Sequence, residues 1–297
     1  MAVATAVPRR RVRGRLRRML PGYVLIAPAI ASSVVFLYIP IVFSGYWSFT
    51  EYNGLASPEW VGLKNYTDLL SDERFMKALL NTVIFVLIGM GIGPILGLLS
   101  ALLLNQAVRG QGFFRTAYFL PVMTSLVVVA TIWKVLLNEN GIINELLSVV
   151  GIPAHNWLGD PTTALVSVTV TSIWQGFGFE TVVFLAALQS IPRDLYEAAL
   201  VDGAGAWQRF RAVTLPALRP TIAFVYIIGI IGSFQIYDQV FVMTSGGPIN
   251  STRTVVFDLV DRFDSLKYGE ASAVAYVLLV ILATLSYVQM RLFEERT

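Results

Sequence analysis

The chain has 297 residues and a formal net charge of +3; 56% of its residues are hydrophobic and only 14% charged, and its mean hydropathy is +0.67. These values exclude an ordinary soluble domain and point to a membrane protein. The absence of cysteine rules out disulfides, thiol nucleophiles and cysteine metal sites, and the lone histidine, His155 in "GIPAHNWLGD", has no second histidine to complete a ligand set and reads as a loop residue.

The first 20 residues form an arginine-rich tail, with seven arginines between Arg9 and Arg18. The tail abuts a long apolar run, so its charge is better explained by retention on the cytoplasmic side and attraction to anionic lipid than by nucleic acid. The triplet Ala29 to Ala31 resembles a signal-peptide cleavage site, but the apolar run continues through "SSVVFLYIPIVF". The segment therefore reads as a retained anchor.

Six segments are long and apolar enough to cross roughly 30 Å of hydrocarbon. They run from Tyr23 to Phe49, Leu79 to Leu104, Phe113 to Leu137, Ala164 to Leu188, Thr221 to Met243 and Ala271 to Leu292. None shows the alternation of a barrel strand, so the expected fold is an all-α membrane protein of six transmembrane helices. An even number of spans places both termini on one side. Fifteen of the 22 Lys and Arg residues fall on the side of the tail, which makes that side cytoplasmic. Without the tail the division is 8 to 7, so the first helix chiefly sets the orientation. Residues 21–297 read as one transmembrane domain, with a cytoplasmic loop at 190–219. In the outer loops, "INELLSVV" and "VVFDLVDRF" have the pattern of short amphipathic helices at the membrane surface.

Within spans 2, 4 and 5, three sets of residues break the apolar pattern. Gly89, Gly91, Gly93 and Gly97 in span 2 favour close helix packing. Glu180, near the middle of span 4, and Gln175 before it suit either a pore wall or a hydrogen bond to a neighbouring helix. Gln235, Tyr237 and Asp238, in the outer half of span 5, suit a polyol path, with Asp238 also able to reach the outer water.

The loop "SIPRDLYEAALVDGAGAWQRFRAVTLP" places charge between two apolar runs. Ser190 is a candidate cap, Pro192 fits a first turn, and the helix should stop at Gly203. A second short helix over "AWQRFRAVT" should end at Pro216. The result is a knob in which Trp207 and Phe210 are apolar anchors, offered either to a partner or to the chain's own bundle.

The spacing of Glu197-Ala198-Ala199, Gly203, Val213 and Leu215-Pro216 resembles the "EAA…G…I-LP" motif of membrane subunits of binding-protein-dependent ABC importers, with valine for the usual isoleucine. "WVGLKNYTDLL", "RTAYFLPVMTS" and "FQIYDQVFVMTSGGPINSTRTVV" extend the resemblance to the carbohydrate-type permeases, the sugar and glycerol-phosphate branch, over nearly the whole chain. The resemblance implies a type I importer transmembrane domain in a bacterial-type cytoplasmic membrane, translocating a sugar or related polyol by alternating access. It implies four kinds of partner: a second homologous permease, two ATPase subunits, an extracytoplasmic substrate-binding protein and the lipid bilayer.

In that family the knob couples transport to the ATPase. By matching position, Glu197, Ala198, Ala199 and Gly203 become coupling residues, joined on the same surface by Asp202, Trp207, Phe210, Leu215 and Pro216. No lysine follows a glycine, so the chain lacks a G-x-x-x-x-G-K-[ST] phosphate loop. The chain is then no enzyme and holds no cofactor; ATP and Mg belong to the partner subunits. An ion-coupled carrier would need paired broken helices and more buried acids, and an intramembrane enzyme a catalytic set. A permease for a non-carbohydrate solute is the nearer alternative.

Overall fold

The structure is a computed structural model that describes residue 22, residues 24–106 and residues 110–294. The arginine-rich tail, Tyr23, Arg109 and Arg296 lie outside the described residues.

Helix α1 (Val24–Trp47) contains a π turn at Val34–Tyr38 and has no buried residue in its most apolar stretch. A small antiparallel pair, β1 (Thr50–Glu51) and β2 (Glu59–Trp60), follows it. The end of α1 is held by α2 (Lys64–Ser71), where Asn65 Nδ2 donates to the carbonyls of Ser48 and Thr50 at 2.9 Å. Helix α3 (Glu73–Leu104) starts where Asp72, in extended backbone, accepts from the Arg74 N–H. Then come α4 (Gln111–Met123), α5 (Leu126–Leu136), α6 (Ile142–Val149), α7 (Ala164–Ser190) and α8 (Arg193–Val201). Helix α9 (Ala206–Phe234) is followed by α10 (Asp238–Thr244), α11 (Val255–Asp264) and α12 (Tyr268–Glu294).

Five of these, α1, α3, α7, α9 and α12, are long and apolar enough to cross a membrane. The third expected span is instead the pair α4 and α5, bent by 97°. Thr124 (ψ 141°) and Ser125 (ψ 133°) are extended there, which ends one helix and redirects the next. The fifth expected span differs as well. Its helix stops at Phe234, and Asp238 begins a separate short helix.

Helix α3 runs through three apolar clusters. Phe75, Val86 and Met90 meet Phe234, Val255 and Val274; Ala101 and Leu104 meet Phe184, Leu188 and Leu218; Phe85 meets Ala130, Val168 and Val240. Together the clusters join α5, α7, α9, α10, α11 and α12 to α3, so α3 sets the positions of these helices.

The two amphipathic loop stretches do form helices, α6 and α11. Helix α11 does more than lie on a surface, because Val255 is buried against α3 and α12 and Asp258 is fully buried. Arg253 Nε donates to Asp258 Oδ1 at 2.8 Å, and Arg262 Nε donates to Asp258 Oδ2 at 2.7 Å. Arg262 also bridges Asp72, at the start of α3, and Glu270, on α12. Two cations share one buried acid, and their remaining N–H groups reach half-buried acids, which leaves no buried charge without a counterion in this network. Asn81 completes the clamp, donating to the carbonyls of Asn250 and Arg253 at 2.8 and 2.9 Å.

Candidate functional site

A cavity of about 410 Å³ lies between α3, α7, α9, α10 and the break between α4 and α5. Phe85, Met90 and Phe177 give it apolar walls, and Ser172, Gln175, Glu180, Ser233 and Gln239 supply polar groups. The broken helix frees backbone carbonyls in an apolar region, where unpaired polar groups are costly. Gln175 answers this, placing Nε2 3.5 and 3.4 Å from the Pro121 and Thr124 carbonyls. Its Oε1 accepts from Gln239 Nε2 at 2.8 Å, and Ser172 Oγ donates to Gln239 Oε1. One polar chain therefore links α7 and α10 to the kink.

Glu180 stands on the same helix, beside α3. A Cβ added at Gly97 would come 2.6 Å from Glu180 Cβ, and one at Gly93 would come 3.2 and 3.3 Å from its carboxyl oxygens. These two glycines let the helices approach, as their spacing suggested. Gly89 and Gly91 do not: nothing lies within 4 Å of a Cβ at either position. Glu180 Oε2 is buried and has no hydrogen-bond partner among the described residues.

Gln175 and Glu180 share this cavity, whereas Gln235, Tyr237 and Asp238 are not among its lining residues. The reason is the break after Phe234. Gln235 caps the end of α9, Asp238 opens α10, and the Tyr237 ring stacks on Phe241 at 5.4 Å with 18° between the planes. Gln239 and Ser172, which sequence reasoning missed, line the cavity instead. The signal for Gln239 was present in "YDQVF", but a continuous helix through span 5 gave no reason to choose it over Asp238, one residue and 100° away.

The segment 190–219 forms the second feature. Ser190 is not a cap of α8: it ends α7, and its Oγ donates to the Ala187 carbonyl at 2.7 Å. Pro192 occupies the N-cap position of α8, where no side chain accepts from the helix's first N–H groups. At the other end Gly203 takes φ +77°, and the N–H groups of Gly203 and Ala204 donate to the carbonyls of Leu200 and Ala199 at 3.0 and 2.9 Å. This is a Schellman turn, and the left-handed backbone is the reason glycine stands there.

Pro216 does not end the following helix. A π turn over Phe210–Thr214, closed by Leu215 N–H to the Phe210 carbonyl, precedes it, and α9 continues to Phe234. The wider turn accommodates a proline that a regular helix interior would not. Tyr196 OH and Thr214 Oγ1, 2.9 Å apart, tie α8 to that turn. Glu197, Ala198, Asp202, Gly203, Trp207 and Leu215 are exposed, while Ala199, Phe210 and Pro216 are half-buried. Trp207 is 70% exposed although its ring stacks on Phe210 at 5.4 Å. Leu200 and Val201, which sequence reasoning did not single out, are exposed beside them. The knob packs on its own bundle through Tyr196 and Val213 and also leaves an apolar surface uncovered.

Long apolar helices packed around a small, mostly apolar cavity, with an exposed helical knob, fit a membrane permease subunit. Residues 93–297 match the family described as the binding-protein-dependent transport system inner membrane component, and the chain belongs to that family. It is similar to the trehalose/maltose transport system permease protein MalF of Thermococcus litoralis, 32% identical over 278 residues that cover 93% of this chain and 94% of that one. It is also 38% identical to the lactose transport system permease protein LacF of Rhizobium radiobacter over 283 residues, again covering 93% and 94%. A chain of a bacterial ABC transporter involved in the import of the acidic polysaccharide alginate superposes with a TM-score of 0.86 at 24% identity, covering 96% of this chain and 99% of that one. The fold is that of a type I importer membrane domain, and the chain is a transport subunit of an ABC importer, not an enzyme.

Proposed function

We propose that this permease translocates a sugar or related polyol through a pathway shared with a second, related permease, and that segment 190–219 transmits the work of two ATPase subunits. The observation that carries the coupling half is the knob's geometry: a Schellman turn fixes α8, and Trp207, Leu200 and Val201 remain exposed at its surface. A rigid element with uncovered apolar residues is suited to a groove in a partner. Glu197, Ala198, Ala199, Asp202, Gly203, Phe210, Leu215 and Pro216 complete that contact. ATP and Mg are bound by the ATPases, whose approach shifts the bundle between inward-open and outward-open states.

The saccharide half is supported by relatives named for trehalose/maltose and lactose transport, and by amide and hydroxyl groups on an otherwise apolar cavity. In this reading Gln175 and Glu180 line the translocation path, and Gln235, Tyr237 and Asp238 lie at its outer approach. The arginine-rich tail and the knob face the cytoplasm of a bacterial-type inner membrane. An extracytoplasmic binding protein delivers solute at the opposite end.

The test uses the complete complex reconstituted in vesicles, comparing the wild type with a Glu197→Lys, Gly203→Pro double variant. Retained assembly with loss of both substrate-stimulated ATP hydrolysis and uptake is expected. Undiminished uptake in the assembled variant would remove the coupling role.

A further inference from the structure

Among the described residues, Glu180 is the only ionisable one lining the cavity, and no Lys or Arg accompanies it there. Its placement is held from two sides. Gly93 and Gly97 keep the facing surface of α3 free of side chains, and the neighbouring residue Thr181 is fully buried, with its Oγ1 turned back to the Phe177 carbonyl at 2.8 Å. The polar groups nearby are already engaged with one another. Gln175 is committed to the kink and to Gln239, and Ser172 to Gln239. Glu180 Oε2, by contrast, is buried and accepts nothing from the described residues.

An acceptor left unpaired in an apolar region has a cost that a solute hydroxyl or ammonium group can remove. An anionic solute would do the opposite, because no Lys or Arg among the cavity's described lining residues would offset two negative groups brought together there. We infer that Glu180 is a charge filter in the path: it accepts from hydroxyl or amino groups of a neutral or cationic saccharide and disfavours uronates and phosphate esters. This inference rests on the saccharide reading above.

The experiment uses the full complex in lipid nanodiscs, without the binding protein, so that discrimination by the pathway is read directly. Three forms of one glucose-based disaccharide, neutral, amino-substituted and uronate, are titrated against the wild type and against Glu180→Gln and Glu180→Asp variants. Glu180→Gln removes the charge with little change of shape, and Glu180→Asp keeps it.

In the wild type and Glu180→Asp, the neutral and amino forms are expected to bind at least about tenfold more tightly than the uronate, in keeping with a charge-assisted hydrogen bond. In Glu180→Gln that preference should fall to about twofold or less, since an amide no longer repels the uronate. Equal preference in the wild type and Glu180→Gln, with saccharide still bound, would overturn the filter and leave the saccharide reading standing. If none of the three forms binds the wild type, the saccharide reading fails and takes this inference with it.

Discussion

Gln239 on α10 donates its amide N–H to the Oε1 of Gln175 on α7 at 2.8 Å, and both side chains are buried. The contact joins helices through buried polar groups, and Gln175 passes the link on to the carbonyls of the bent α4 and α5 pair. Replacing Gln239 with Leu should destabilise the purified protein by about 1–2 kcal/mol, because Gln175 and Ser172 lose their partner. Thermal unfolding in detergent measures it; a change near zero would mean that the two residues find other partners.

Arg253 presents a sharper case. It is 4% exposed and holds Asp258, itself 1% exposed, at 2.8 Å. An Arg253→Ala substitution leaves a buried acid dependent on Arg262 alone and should cost about 3–5 kcal/mol. Denaturant or thermal titration of the variant would give this directly, and a loss under 1 kcal/mol would show that Arg262 suffices.

The same network sets an acid limit. Burial opposes ionisation of Asp72, but hydrogen bonds from Arg262 and from the Arg74 backbone outweigh it and hold the carboxyl below its ordinary value. A hydrogen bond from Arg253 does the same for Asp261. Both acids bind protons more tightly in the unfolded chain, so their stabilisation is complete above the unfolded value of about 3.9 and is lost as pH falls through the lower native values. The melting temperature should hold from pH 7 to about 5 and drop steeply below about 4. In Arg262→Gln it should start lower and fall less with acid; parallel curves for the two proteins would refute the assignment.

Two glycines of α3 separate packing from mere composition. Gly97→Ala drives a Cβ to 2.6 Å from Glu180 Cβ and should cost about 1–3 kcal/mol through forced separation of α3 and α7. Gly91→Ala meets nothing within 4 Å and should be neutral, or stabilising by up to about 1 kcal/mol from helix propensity. Side-by-side melts of the two variants make the comparison; similar losses in both would remove the packing argument.

Trp207 separates folding from coupling. Its exposed ring contributes little to the bundle, so Trp207→Ala should change stability by less than about 0.5 kcal/mol. The same change should lower ATP-dependent uptake at least about tenfold if the ring is a central anchor of the ATPase contact. Full uptake by the stable variant would place the contact elsewhere on the knob.

Much of this protein could be read along the chain. Spans beginning at Leu79, Ala164 and Ala271 lie within the observed α3, α7 and α12, because twenty consecutive apolar residues leave helix as the economical way to satisfy the backbone in a membrane. The spacing from Glu197 through Gly203 to Pro216 pointed to the family before any geometry, and the helix does stop at Gly203, in a left-handed turn.

The breaks in the third and fifth spans were decided only in three dimensions. "LPVMTSLVVV" and "GSFQIYDQVF" are apolar enough to be continuous helices; Pro121 weakens the first locally but does not by itself place the break at Thr124 and Ser125. What permits the chain to bend at Thr124 is Gln175, 51 residues away, which satisfies the carbonyls that the bend exposes. What moves Tyr237 and Asp238 off the cavity and puts Gln239 into it is the end of α9 at Phe234 and the new direction of α10. Composition and periodicity report how each segment meets an apolar surrounding. Which polar groups meet across helices depends on packing between residues far apart in the chain, and that information exists only once the bundle has formed.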